Sequence, residues 1–294
     1  MKKKVLITGS NGFIGSYFRK YCNKKKQDYI FGTSSKSSGA DLVKFKSLYK
    51  NITSLLQNHD IYSIVHLAAI IPETFQDTNF YDHFLPNIEM MNNLSEFALK
   101  NNVKRFINIS SFGSMKIPEH CDVNDYYTLS KVTGELFCQL LNTNNIKSIS
   151  LRLPSVFGEY FKRKSVVNIF IKNALNGDNL VIYGNGQEKR NFIYAGDVLN
   201  IIELCLNNDI TGTYAFVSEK NTSIIDLAEE ILKITKSDSK IIFSGNEMNK
   251  MPDEPKYDYS KTRNYLKYTP VYSLHDGLKK YIEWIKKNEI SFNF

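Results

Sequence analysis

Short β-branched runs alternate with helix-length amphipathic segments through the first half of the sequence, and this alternation restricts the folds open to it. Candidate strands cover Lys4–Thr8, Asp28–Gly32, Ser63–Leu67, Lys104–Ile109 and Lys147–Leu153. Candidate helices cover Phe13–Asn23, Ser47–Gln57, Thr78–Asn101 and Tyr126–Asn144. A repeated strand–helix–strand pattern predicts a parallel sheet with helices on both faces. The runs VLI, SIVHLA and FINIS are almost continuously apolar, as strands covered on both faces must be. After Leu153 the pattern loosens. Strands at Leu180–Tyr183, Thr213–Val217 and Lys240–Phe243 mix with helices at Val166–Asn176, Ala195–Asn207, Ile224–Thr235 and Leu274–Lys287. Pro252 and Pro255 lie in a polar, aperiodic stretch that reads as a loop.

The apolar fraction of 42 % suits a globular chain of one large domain, or a main domain with a smaller lobe. The apolar stretch near the start, Val5–Ile7, is too short for a secretion signal and runs straight into a glycine turn, and no run approaches a membrane span. Cys22, Cys121, Cys138 and Cys205 are scattered without CxxC spacing, which suggests neither zinc nor a disulfide framework. A reducing compartment, the cytoplasm, is expected. The formal charge of +8 is dispersed over single lysines and lacks interleaved aromatics, so a solvated surface is expected rather than a nucleic-acid stripe. The histidines show no metal-ligand spacing, and His66 reads as a packed strand residue.

Gly9, Gly12 and Gly15 in ITGSNGFIGS fall directly after the first strand, where the first helix opens. Glycines there permit a tight turn and let the backbone approach a pyrophosphate, which the helix N-terminus attracts. The spacing is Gly-x-x-Gly-x-x-Gly, not the common dinucleotide fingerprint, and its place at the start of a βαβ unit is what favours cofactor binding over plain turn chemistry. The fold class expected is therefore α/β, a Rossmann-type doubly wound parallel sheet with a smaller C-terminal α/β lobe. Residues 1–153 would form the dinucleotide-binding core and 154–294 mainly the substrate lobe, with a segment near 190–210 returning to the core. The second strand ends in Thr33, Ser34, Ser35 and Lys36, with no carboxylate before Asp41. Hydroxyls and a lysine suit a 2′-phosphate, so NADP(H) is favoured over NAD(H); a polar surface loop is the alternative.

Tyr127 and Lys131 are four apart in a helical segment and share one face. Ser111 lies in ISSFGS (Ile109–Ser114), directly after a buried strand, at the edge where parallel sheets place their sites. A hydroxyl, a phenol and an ammonium can move a proton at a sugar oxygen while hydride moves at carbon. The cation favours the phenolate and brings a tyrosine nearer to working pH.

These motifs, taken in order, resemble the extended short-chain dehydrogenases/reductases of the NAD-dependent epimerase/dehydratase family. TGSNGFIG is similar to its cofactor turn, VHLAA (Val65–Ala69) to its fourth-strand motif, VKRFINISS to the segment ending in the catalytic serine, and YTLSK to its Tyr-x-x-x-Lys pair. LRLPSVFG and IYGNGQEKRNFIYAGDV resemble its substrate-lobe motifs. The resemblance implies that Ser111 holds the reacting sugar oxygen, Tyr127 is the acid/base, and Lys131 holds the nicotinamide ribose and polarises Tyr127. It implies a cofactor set of Gly9, Asn11, Gly12, Phe13, Ile14 and Gly15, with Ser34, Ser35, Lys36, Asp41 and Leu42 toward the adenosine. Leu67, Ala68, Ala69 and Pro154, with Tyr127 and Lys131, complete that set. It implies a substrate set of Phe112, Ser155, Asn168, Tyr183 and Arg190, the arginine on the pyrophosphate and the tyrosine against the base. Asp197 reads equally as a helix N-cap.

Where the family's 4,6-dehydratases carry an acidic pair after the catalytic hydroxyl, this chain has Phe112 and Gly113, which cannot exchange protons. Ser155 replaces the family's frequent Asn, and Met115 a common Tyr. Dehydration is therefore not expected. Reduction of a 4-keto-6-deoxy nucleotide sugar is favoured over 4-epimerisation on retained NAD. A dinucleotide-binding redox sensor is the reading from another class, and a homodimer through Thr78–Asn101 and Tyr126–Asn144 is what the resemblance implies.

Overall fold

The computed structural model describes residues 3–23, 27–33, 42–72, 80–112, 125–245 and 259–292. The strands are β1 (Lys4–Thr8), β2 (Asp28–Thr33), β3 (Leu42–Lys44), β4 (Ile61–His66), β5 (Arg105–Ser111), β6 (Lys147–Leu153), β7 (Ser155–Phe157), β8 (Leu180–Tyr183), β9 (Lys189–Arg190), β10 (Phe192–Tyr194), β11 (Gly212–Ala215), β12 (Thr222–Ser223) and β13 (Ile241–Ser244). The helices are α1 (Phe13–Tyr21), α2 (Ile52–Leu56), α3 (Phe80–His83), α4 (Leu85–Lys100), α5 (Tyr126–Thr143), α6 (Val166–Asn176), α7 (Ala195–Asn207), α8 (Ile224–Thr235), α9 (Tyr259–Leu266) and α10 (Leu274–Lys287).

The chain divides into two compact units, Met1–Leu153 with Leu199–Phe216, and Pro154–Val198 with Val217–Phe294. The first holds a seven-stranded sheet in the order β11-β6-β5-β4-β1-β2-β3, parallel at every pairing. The order reverses between β1 and β4, the point at which doubly wound sheets open a crevice beyond their carboxyl ends. The central strands are buried on both faces, as at Leu6, Ile64 and Phe106, and α4 and α5 close one side with Met91, Leu94, Phe97 and Leu141.

Two predicted helices are broken, each for a local reason. The segment expected as Ser47–Gln57 is a 3-10 turn at Ser47–Tyr49 followed by α2. Leu48 and Tyr49 take positive φ there, which no helix tolerates, and Tyr49 is fully buried. The segment expected as Thr78–Asn101 breaks between α3 and α4, where Pro86 occupies the first turn of α4 and can donate no amide to a preceding turn.

In the second unit, α6, α8 and α10 start at Ser165, Ser223 and Ser273, whose hydroxyls accept the amides of Asn168, Asp226 and Asp276. Gly177 ends α6 in the left-handed conformation. Asp197 differs from the N-cap expectation. It lies inside the first turn of α7, and its carboxylate accepts from Tyr268 Oη and from the amides of Val271 and Tyr272. It is fully buried, and burial raises its pKa. Asp197 thus clamps the segment before α10. Among the described residues no helix is long and apolar enough to cross a membrane.

Candidate active site

The turn after β1 is packed so closely that side chains are excluded. Gly9 has φ +65°, and a Cβ on it would lie 2.6 Å from the amide nitrogen of Ala68. A Cβ on Gly15 would lie 2.1 Å from the carbonyl oxygen of Gly9. The Gly12 amide closes the turn on Gly9 O at 2.9 Å, and the Ser10 amide reaches Gly32 O on β2 at 3.1 Å. No side chain caps the first turn of α1. A bare turn beneath an uncapped helix N-terminus fits the pyrophosphate of a dinucleotide. Asn11, half-buried, accepts from Arg19 Nη1 at 3.3 Å. Phe13 and Ile14 open α1 and are half-buried.

Three polar residues that the motifs did not single out hold this turn. The Thr8 hydroxyl oxygen accepts the amides of Leu67 and Ala68 at 3.1 and 3.2 Å and lies 2.9 Å from His66 Nδ1. With both amides pointing at its oxygen, Thr8 donates its own proton to Nδ1. His66 is buried, and desolvation with Lys131 nearby pushes its pKa down to about 3, so it stays neutral. It is a packed strand residue, as the sequence reading had it. Tyr49 Oη accepts the Gly9 amide at 2.9 Å, and burial pushes that phenol up to about 12. Asn87 on α4 accepts the Ile70 amide at 2.8 Å and donates to Ile70 O at 2.9 Å, tying down the segment that carries the half-buried Leu67, Ala68 and Ala69.

The catalytic candidates meet at the carboxyl end of β5. Ser111 is its last residue, half-buried. Tyr127 and Lys131 lie on α5, which Asp125 caps by accepting the Thr128 amide at 2.7 Å. Lys131 Nζ donates to Ile109 O on β5 at 2.9 Å and sits 5.5 Å from the centre of the Tyr127 ring. Lys131 is 9 % exposed, and burial pushes its pKa down to about 8, against the opposing charge of Glu135. A small cavity beside it is lined by the polar His66, Asn87, Asn108 and Ser130 together with Ala68, Met91 and Gly134.

Phe112 follows Ser111 and is buried at 7 % exposure, so it offers a substrate little surface. Ser34, Ser35, Lys36 and Asp41 lie outside the described residues, as do Gly113 and Met115. Leu42 lies in β3.

The second unit carries the other candidates. Pro154 is half-buried, Ser155 exposed, and Tyr183 60 % exposed on β8. Arg190 on β9 is partly buried and donates to Glu188 through Nε at 2.7 Å. Asn168 departs from the expectation of a direct substrate contact. It has no exposed surface, its Nδ2 donates to Phe161 O and Arg163 O, and its Oδ1 accepts from Tyr281 Oη. The amide shapes the 161–163 loop, and a ligand would have to break those bonds to use it.

A bare phosphate cradle at the switch point, with Ser, Tyr and Lys on the adjoining strand and helix, defines a nicotinamide-dependent enzyme of the short-chain dehydrogenase/reductase type. Residues 5–215 match the model of the NAD dependent epimerase/dehydratase family, and the chain belongs to that family. It is 26 % identical to a UDP-N-acetyl-alpha-D-glucosaminuronate decarboxylase of Bacillus cytotoxicus, the alignment covering 98 % of this chain and 99 % of the relative. It is 28 % identical to a putative UDP-glucose 4-epimerase of Methanocaldococcus jannaschii, over 97 % of this chain and 99 % of that one. The fold is also that of the UDP-glucose 4-epimerase of Thermotoga maritima, solved with UDP-glucose, at TM-score 0.84 and 22 % identity over 98 % of this chain and 100 % of that one.

The substitution Gly15→Ala must push α1 away from Gly9 O. Affinity for NADH and NADPH, measured by nicotinamide fluorescence, is expected to fall at least about tenfold, which corresponds to ~1.4 kcal/mol. Unchanged affinity would show that this turn is not the cofactor cradle.

Proposed function

We propose that this chain catalyses hydride chemistry at C4 of a nucleotide-activated sugar, reducing a 4-keto-6-deoxy sugar with NADPH. The single observation behind this reading is the convergence of Ser111, Tyr127 and Lys131 at the end of β5, beside the glycine cradle. Bound nicotinamide would supply the hydride. Tyr127 gives its phenolic proton to the sugar oxygen as that hydride reaches C4, and Ser111 donates a hydrogen bond to the same oxygen. The Lys131 ammonium, held on Ile109 O, stabilises the phenolate left on Tyr127. Together these turn the ketone into an alcohol, with the proton drawn from Tyr127 and returned from solvent.

The preference for NADP(H) rests on the hydroxyls and lysine after β2, and NAD(H) is the other possibility. Ser155, Asn168, Tyr183 and Arg190 are assigned to the nucleotide sugar, Asn168 indirectly through the loop it shapes. Phe112 in place of an acid argues against dehydration. A specific observation favours a second reading, 4-epimerisation on retained NAD, since similar proteins and structures are named as 4-epimerases. The sensor reading loses ground to the intact Tyr127 and Lys131.

Purified protein mixed with NADPH or NADH and 4-keto-6-deoxyglucose linked to UDP, dTDP or GDP is expected to consume reduced nicotinamide. Tyr127→Phe should lower turnover at least about 100-fold while cofactor affinity survives. Turnover near the wild-type rate in Tyr127→Phe would refute the catalytic assignment. Absence of consumption, with UDP-glucose converted to its C4 epimer, would move the assignment to the epimerase.

A homodimer in the cytoplasm is also proposed. Leu99 on α4 and Leu136 and Leu140 on α5 are 42 %, 56 % and 51 % exposed, an apolar patch that a second copy would cover. Leu136→Glu should sediment as a monomer where the wild type sediments as a dimer; an unchanged mass would refute this face as the contact.

A further inference from the structure

Helix α5 carries a third side chain in the same row as the catalytic pair. Tyr127, Lys131 and Glu135 follow one another at four-residue spacing, and Glu135 is 5 % exposed. A carboxylate that deep is costly unless it is bonded, and this one is bonded to two strands at once. Ser110 Oγ on β5 donates to its Oε1 at 2.5 Å. Arg152 on β6 donates through Nε to Oε1 at 2.8 Å and through Nη2 to Oε2 at 2.6 Å. Ser110 and Arg152 are themselves register partners across the β5–β6 pair. The last three residues of β5 are therefore tied differently to the rest. Lys131 bonds Ile109 O, Glu135 bonds the Ser110 hydroxyl, and Ser111 follows directly as the last residue of the strand.

We propose that Glu135, paired with Arg152, is a positioning residue for the catalytic set: bonded to Ser110 on β5 and Arg152 on β6, it fixes Ser111 against α5 and places a carboxylate one helical turn from the Lys131 ammonium. The inference rests on the reading of Ser111, Tyr127 and Lys131 as the catalytic set. Among the described residues, few groups face Lys131. On its own helix they are Tyr127 and Glu135, and on β4 the neutral His66. Its neighbours Asn87 and Met91 on α4 and Asn108 on β5 do not titrate. Arg152 acts on Lys131 through Glu135. Burial drives the ammonium toward its neutral form, and the Glu135 carboxylate opposes that.

The sign of each substitution follows. Glu135→Gln removes the opposing negative charge and leaves Arg152 beside the site, so Lys131 loses its proton at lower pH. Arg152→Gln leaves Glu135 unneutralised, so Lys131 keeps its proton to higher pH. Two substitutions of one ion pair thus shift the titration in opposite directions, which a merely structural role would not do.

The test measures NADH and NADPH affinity of the full chain by nicotinamide fluorescence from about pH 6, below the ordinary His value, to about pH 10, just short of the ordinary Lys value. The wild type is expected to lose affinity as pH rises past about 8, where Lys131 loses its charge. Glu135→Gln should move that midpoint down by about one unit and Arg152→Gln should move it up, with turnover of the keto sugar falling about tenfold or more in Glu135→Gln. Should either variant fail to fold, the other carries the test alone, together with Glu135→Asp. That variant keeps the charge but shortens the reach, and should hold the midpoint while lowering turnover. Midpoints that do not move, or that move in the same direction, overturn the proposal. Lys131→Met separates this from failure of the underlying reading. If the alkaline loss of affinity persists in Lys131→Met, Lys131 is not the group that titrates against the cofactor, and the catalytic reading itself fails.

Discussion

The structure of the first unit depends on a backbone-to-backbone contact too close for any side chain. Gly15 packs on the carbonyl of Gly9, and Gly9 packs on the amide of Ala68, so β1, α1 and the segment after β4 converge on one point. That convergence lies where the strand order reverses, and it leaves a concave surface of bare backbone next to a helix N-terminus. Thr8, Tyr49 and Asn87 supply the hydrogen bonds that a turn so short of side chains cannot make for itself. Of these three only Tyr49 can titrate, and burial keeps its phenol neutral, which leaves Glu135 as the charge set against the Lys131 ammonium.

The second support is the register of α5 on β5 and β6. One face of one helix carries the acid/base candidate, the cation that tunes it and the carboxylate that ties both strands. Reach along that face is set by the helical repeat and not by loop conformation. A site built in this way holds its geometry to the stiffness of regular secondary structure. The substrate candidates of the second unit, on α6 and on the short strands β7, β8 and β9, are of another kind. Asn168 is spent on its own loop, whereas Tyr183 stands exposed.

Much of this was legible in the sequence because the signals are periodic or steric. Strands buried on both faces leave continuous apolar runs, and glycines at a strand–helix junction have few other uses. The four-residue step from Tyr127 to Lys131 places both on one helix face without any structure in hand. The losses are equally physical. Strand β3 is three residues long and carries no pattern of its own. The helix expected at Ser47–Gln57 gives way because the apolar spacing there serves a buried tyrosine bonded to Gly9, and no local signal marks a contact with a residue forty positions earlier. Asp197 sits at a plausible cap position, yet its partners come from Tyr268 to Tyr272. Glu135 was the most readable of the missed residues, one further helical turn beyond Lys131, but its partner Arg152 lies on another strand.

The central claim is that this chain moves hydride between nicotinamide and C4 of a nucleotide-linked sugar. The most direct measurement follows a label: NADPH deuterated at the transferring position of the nicotinamide, incubated with the enzyme and UDP-linked 4-keto-6-deoxyglucose, the product read by NMR. The account predicts one deuterium at sugar C4. A product without deuterium at C4, or with it at another carbon, would contradict the account.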